Sequence, residues 1–200
     1  MEASPRSEQP GGLGTIVALA PTPQDMQRLG AALGQVLRPG DTVLLGGDLG
    51  AGKTTFTQGL AGALGVTGPV TSPTFVLVHS YRTHAGCDLL HADVWRLEQL
   101  QEVIDLAIPE MLDEGAAAVV EWGELAAPAL ASDCLHIGID FEPEERGPSS
   151  NHSHRADAGG CRRLVFRPIG RSWQQRSAAL EAAIGATSGR AGEPAGPDGR

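Results

Sequence analysis

Apolar residues along this chain fall into continuous or alternating runs and into runs of helical spacing, separated by Gly/Pro-rich stretches. Thr15–Leu19 (TIVAL) predicts a first strand. Thr22 then stands as an N-cap with Pro23 in the first turn, and Met26, Leu29, Ala32, Leu33, Val36 and Leu37 form one apolar stripe until Arg38-Pro39-Gly40 stops it. Thr42–Leu45 is short, apolar and β-branched, as a buried strand requires, and from Lys53 onward Thr55, Phe56, Leu60 and Leu64 recur near helical spacing as far as Gly65. Val66–Phe75 carries prolines and hydroxyl residues and predicts a loop. Phe75–Tyr81 and Cys87–Asp93 read as neighbouring strands around a Thr83–Gly86 turn, and Leu97–Leu112 as a helix broken at Pro109. Ala116–Val120 is a continuous apolar strand running into Glu121-Trp122.

Towards the C-terminus, Cys134–Phe141 and Arg162–Ile169 predict a β-hairpin, with residues 142–160 as a polar, aperiodic and flexible insertion between its arms. Ser172 is expected to cap a last helix through Ala183, with Trp173, Leu180 and Ile184 on one face. Alternating strands and helices with no internal repeat predict an α/β domain over residues 14–184. The Gly-, Pro- and Ser-rich segment 1–13 and the segment 185–200 are expected to be disordered tails.

Between the second strand and its helix the chain reads GGDLGAGKTT, and Gly47-x-x-x-x-Gly52-Lys53-Thr54 fits the phosphate-binding loop pattern. Strand, glycine loop and helix start are what a polyphosphate needs. Small residues let backbone N–H groups turn inward, and the helix N-terminus adds a favourable dipole. Gly47, Leu49, Gly50, Ala51, Gly52, Lys53, Thr54 and Thr55 are therefore the nucleotide-binding candidates. Lys53 would reach the β- and γ-phosphates, and the Thr54 hydroxyl would join a Mg²⁺ shell. Lys53 is the only lysine among the 15 basic residues, which points to a chemical requirement for that ammonium.

Composition narrows what surrounds this loop. Hydrophobic residues make up 41% of the 200 positions but aromatics only 4%, so the core must be aliphatic. A net charge of −9 argues against a chain that grips nucleic acid through its own phosphate contacts. Cys87, Cys134 and Cys161 are too few and scattered for a disulfide framework or zinc site, and read as reduced thiols. No apolar run approaches membrane-spanning length and the N-terminus lacks a signal-peptide core, so the expected location is the cytoplasm, with no membrane partner.

Three further segments bear on the phosphoryl chemistry. Thr71-Ser72-Pro73-Thr74 is either an ordinary turn or a switch loop whose hydroxyls order around a γ-phosphate and Mg²⁺. In His91-Ala92-Asp93-Val94-Trp95-Arg96, period-two alternation puts His91 and Asp93 on one strand face, where Asp93 could bind Mg²⁺ and His91 could orient its neighbours. Arg96 reads equally as a surface residue or a charge clamp. Finally, the Val119-Val120-Glu121 strand end offers a carboxylate that could bind the metal through water or orient the attacking water, with Trp122 either core or nucleotide-adjacent. Lys53, Asp93 and Glu121 are the catalytic candidates, and Thr54, Glu121 and Asp93 the metal-ligand candidates.

Together, GDLGAGKTT at 47–55, SPTF at 72–75, HADVWR at 91–96 and EWGE at 121–124 resemble the TsaE (YjeE) family, small bacterial ATPases required for threonylcarbamoyl modification of adenosine-37 in tRNA. The resemblance implies a P-loop NTPase-like α/β fold with a mixed, largely parallel central sheet flanked by helices. It implies ATP and Mg²⁺ as cofactors, TsaB and TsaD homologues as partners, and tRNA only indirectly through them. Nucleotide turnover would reset the TsaB–TsaD complex between modification cycles. Trp95 stands where the family more often carries Tyr, and Met26 where Thr is common. Two rivals remain open at the sequence level: a small-molecule P-loop kinase, disfavoured because no Lys/Arg-rich lid lies between Glu98 and Glu124, and a nucleotide-sensing scaffold without useful turnover.

Overall fold

A computed structural model describes residues 14–84, 86–123, 126–130, 132–142 and 160–188. The predicted tail 1–13, residues 189–200 of the predicted tail 185–200, and residues 143–159 of the predicted insertion lie outside the described residues, whereas residues 185–188 are helical rather than disordered. Seven strands form one sheet: β1 (Ile16–Ala20), β2 (Thr42–Gly46), β3 (Val78–Arg82), β4 (Asp88–Asp93), β5 (Ala117–Glu121), β6 (Cys134–Phe141) and β7 (Arg162–Ile169), in the order β1-β7-β6-β2-β5-β4-β3. Strands β6, β2, β5 and β4 run parallel at the centre, while β7, β1 and β3 add antiparallel edges. The mixed sheet with a parallel centre is therefore as expected.

Continuous apolar strands follow from burial on both faces. In β2, Val43 and Leu45 face one core, with Leu29 and Leu33 of α1 (Pro23–Gly34), Phe56 and Leu60 of α2 (Lys53–Ala63), and Leu180 and Ile184 of α7 (Ser177–Ser188). Leu44 faces the other, with Val103 of α3 (Leu100–Ile104), Ile108 of α4 (Ile108–Asp113) and Leu130 of α5 (Ala127–Leu130). Cys134 lies in this second core, where burial and then the Asp133 charge push its thiol up to about 11, leaving it unreactive. All three cysteines are free.

Helix α1 begins as the sequence predicts, and Asp25 completes a capping box: Thr22 Oγ1 accepts from the Asp25 N–H while Asp25 accepts from the Thr22 N–H. Helices α1 and α2 meet backbone to backbone. A Cβ on Gly30 would sit 2.0 Å from the Phe56 carbonyl oxygen, and one on Gly59 would sit 1.9 Å from that of Gln27. That approach fixes the angle at which the helix following the glycine loop leaves the sheet.

Three further expectations need correction. Phe75–Leu77 is not strand: Leu77 adopts a left-handed φ of 68° and the third strand starts only at Val78. The helix predicted over 97–112 is broken as expected, but it starts only at Leu100 and the break falls at Ala107 (φ 55°) rather than at Pro109, because the proline can occupy the first turn of α4 but not a helix interior. Ser172 is not the cap of the last helical segment. α6 (Arg171–Gln175) is capped instead by Asp133, whose carboxylate accepts from the Ser172 and Trp173 N–H groups, and a further helix, α7, runs on to Ser188. The four-residue α5 has too little periodicity to announce itself.

Gly30→Ala should destabilise the chain by about 1–3 kcal/mol, the usual cost of overpacking, since backbone rather than a flexible side chain blocks the new methyl. Urea unfolding read by circular dichroism checks it; a midpoint equal to wild type would contradict the close helix contact.

Candidate functional site

The parallel strands β2, β5 and β4 end on one side of the sheet, and the site collects there. The chain turns after β2 through Gly47, at φ 130°, where a Cβ would lie 2.2 Å from the Ile139 carbonyl oxygen, so no other residue fits. Gly52, at φ 108°, leads directly into α2 and rests on the Met26 side chain. Gly50 is also left-handed, and Leu49 at the loop tip is 85% exposed, whereas Ala51 is buried. Thr55, in the first turn of α2, lines a cleft beside the loop together with Thr22, Pro23, Met26, Gly50 and Arg162.

Lys53 folds back under the loop. Its ammonium donates to the carbonyls of Gly47 (2.7 Å) and Asp48 (3.0 Å) and lies 3.8 Å from the centre of the Trp122 ring. Trp122 is aimed there by an uncommon backbone: it takes φ 60° directly after β5, with its N–H donating to the Leu45 carbonyl at 2.8 Å. Gly123 follows because a Cβ there would approach the Leu44 side chain to 2.8 Å. Trp95 packs against Trp122 with ring centres 4.5 Å apart and the planes tilted by 45°.

Register brings the carboxylates to this end. β4 and β5 pair Asp93 with Glu121, and β2 and β5 pair Leu45 with Glu121. Glu121 Oε1 accepts from the Thr54 hydroxyl and from His91 Nε2, each at 2.8 Å. Thr54, Glu121 and His91 thus form one connected group, with Lys53 beside it against Trp122. Asp93 lies beside it but is otherwise engaged. Its Oδ1 accepts from the Trp95 N–H at 3.0 Å and its Oδ2 from the Thr74 hydroxyl. Arg96 donates to the Thr74 carbonyl and packs over the Phe75 ring, so it clamps the 72–77 loop. Glu124 lies outside the described residues.

Magnesium prefers oxygen ligands and commonly takes one or two protein donors alongside phosphate and water oxygens. The adjacent Thr54 hydroxyl and Glu121 carboxylate suit such a shell, while among the described residues no cluster of three or more His, Cys, Asp or Glu forms an all-protein metal cage. One residue at the site escaped sequence reasoning. Arg162 opens β7, packs over the Phe141 ring at 4.4 Å and reaches to 3.5 Å from the Gly50 carbonyl oxygen. Its only sequence signal is an arginine at the start of a strand whose register depends on the pairing across residues 142–160.

Asp93→Ala should free the 72–77 loop by removing the acceptor of both Thr74 and Trp95. Losing hydrogen bonds to a charged group is worth about 1.5–3 kcal/mol, or roughly tenfold or more in local opening. Hydrogen exchange should quicken at Val76, Leu77 and Trp95 by that factor. Unchanged exchange would mean that Asp93 does not anchor the loop.

Comparison with known proteins places this geometry among relatives. The family model described as threonylcarbamoyl adenosine biosynthesis protein TsaE matches residues 20–148. The tRNA threonylcarbamoyladenosine biosynthesis protein TsaE of Streptomyces coelicolor is 46% identical over 117 residues, covering 58% of this chain and 78% of that protein. The protein of the same name from Mycobacterium tuberculosis is 40% identical over 138 residues, covering 65% and 79%. The crystal structure of Bacillus subtilis YdiB superposes with a TM-score of 0.64 at 25% identity, covering 84% of this chain and 95% of that one. With the family match spanning more than half of the sequence and taking in the loop, the 72–77 clamp and the β5 strand end, the chain belongs to the TsaE family.

Proposed function

We propose that this chain is a Mg²⁺-dependent ATPase that serves threonylcarbamoyl modification of adenosine-37 in tRNA, as an accessory subunit that resets a TsaB–TsaD complex. The observation that carries the ATPase reading is that one helix start sends Lys53 against Trp122 and Thr54 onto Glu121, adjacent residues at the neighbouring strand end. Lys53 would exchange its two carbonyl partners for β- and γ-phosphate oxygens, an exchange favoured because an anion outbids a neutral acceptor. Backbone N–H groups of Gly50–Thr55 would hold the remaining phosphate oxygens at the α2 N-terminus. Thr54 and Glu121 would hold Mg²⁺, which supplies charge neutralisation at the transferring phosphoryl group. Glu121 would also orient the attacking water.

The cleft of Thr22, Pro23, Met26, Thr55 and Arg162 beside the loop suits a flat base held between apolar side chains and a guanidinium. Adenine is favoured over guanine, since the guanine-reading motif needs a lysine and Lys53 is the only one. Partner docking is supported by the apolar rim around the loop: Leu49, Phe75 and Trp95 are 85%, 88% and 56% exposed, and Val76 is also exposed. Phe75 and Val76 belong to the clamped 72–77 loop, so a protein seated there would read the state of that loop. The net charge of −9 favours indirect rather than direct contact with tRNA. Among the described residues no helix is long and apolar enough to cross a membrane.

Lys53→Ala should lower ATP affinity roughly tenfold or more, the equivalent of about 1.5–3 kcal/mol for a charge-assisted contact, as read by calorimetric titration. Unchanged affinity would overturn the phosphate-loop reading. In cells depleted of this protein, mass spectrometry of tRNA nucleosides should find threonylcarbamoyladenosine lowered, with the level restored by the wild-type chain but not by Lys53→Ala. Normal modification after depletion would leave a nucleotide-binding protein with a different role.

A further inference from the structure

His91 is completely buried, and the arrangement around it serves one neighbour. It sits in β4 opposite Val119 of β5, two residues before Asp93, and strand alternation turns it to the same face as Glu121. A carboxylate oxygen can only accept, so the Nε2–H of His91 donates to Glu121 Oε1. Thr54 donates to that same oxygen. Among the described residues nothing engages Oε2, while Nδ1 of His91 is buried without a hydrogen-bond partner.

Those facts combine in one direction. Two donors on Oε1 fix the carboxylate's rotation and leave Oε2 as the oxygen turned to chemistry. If the Thr54 oxygen gave a lone pair to a metal, its hydrogen would keep the Glu121 Oε1 acceptor on the far side. His91 holds that carboxylate from inside the sheet, where no solvent competes. The unpartnered Nδ1 has a stability cost that a phenylalanine or methionine at this site would avoid. A polar residue kept at such a cost is better explained by function than by packing.

We propose that His91 is the positioning residue that orients Glu121 for Mg²⁺-nucleotide, acting through the carboxylate and touching neither phosphate nor metal. The inference rests on the nucleotide-site reading above, and its test separates the two. ADP affinity is measured by titration calorimetry with and without Mg²⁺ for wild type, His91→Phe, His91→Gln, Glu121→Gln and the His91→Phe/Glu121→Gln double variant, with thermal unfolding of each chain free of nucleotide.

Wild type should bind more tightly with Mg²⁺, and His91→Phe should lose about tenfold of that enhancement while keeping its metal-free affinity and unfolding no earlier than wild type. His91→Gln, whose amide can still donate to Oε1, should recover part of the enhancement. In the Glu121→Gln background, His91→Phe should have no further effect. A His91→Phe chain that unfolds earlier yet keeps the full Mg²⁺ enhancement would overturn the inference and make His91 a packing residue. Additive losses in the double variant would overturn it too. A wild-type chain that binds ADP without any Mg²⁺ enhancement would overturn the metal-site reading and this inference with it.

Discussion

The Glu121 carboxylate is reached by hydrogen bonds from two other secondary-structure elements, and its position depends on all of them. β5 lies between β2 and β4, so its last residue is flanked by Leu45, where the glycine loop begins, and by Asp93, where the 72–77 clamp is anchored. From there Oε1 accepts from the first turn of α2 and from the middle of β4. A strand that slipped by one residue would turn Glu121 to the opposite face and break both contacts. Close packing of β2 and β5 against a core on each face opposes that slip, so the packed sheet centre is what holds the polar site in register. The same logic holds for α2, whose departure angle is fixed by the glycine contacts with α1.

The parts of the site that were legible in the sequence are those whose geometry is local. The loop pattern at Gly47–Thr54, the strand before it and the helix after it follow from residue spacing alone, and the β5 strand end with Glu121 follows from a continuous apolar run. His91 and Asp93 could be assigned to one face by alternation, but not to their partners. Whether Asp93 faces a metal or a loop depends on Thr74 and the Trp95 N–H, and Thr74 lies 19 residues away. Arg162 reaches Gly50 across a separation of 112 residues, and the β6–β7 register that places it is set by sheet pairing rather than by local pattern.

The misread elements have the same cause. Phe75 and Val76 look like strand because they are apolar, yet they stand exposed, held out by a left-handed Leu77 whose carbonyl is tied to the Asp93 N–H. Apolar residues exposed by design read as buried to any periodicity argument. Ser172 looked like a cap because it is a serine before an apolar stretch. Asp133, 39 residues away, takes that role instead, and the Ser172 hydroxyl accepts from Arg176, which is paired with Asp41 in the interior. In both cases a contact distant in sequence displaced a local preference.

Under the proposed function, Lys53, Thr54 and Glu121 would be held in advance for a nucleotide, with the Lys53 ammonium lying against Trp122 until phosphate takes it. Fluorine NMR of the chain labelled with 5-fluorotryptophan tests this most directly, with the Trp122 resonance assigned from its loss in Trp122→Phe. On titration with ATP and Mg²⁺ that resonance should shift and saturate at one equivalent, while that of the buried Trp173 stays in place. A Trp122 resonance that does not move at saturating nucleotide would contradict the account.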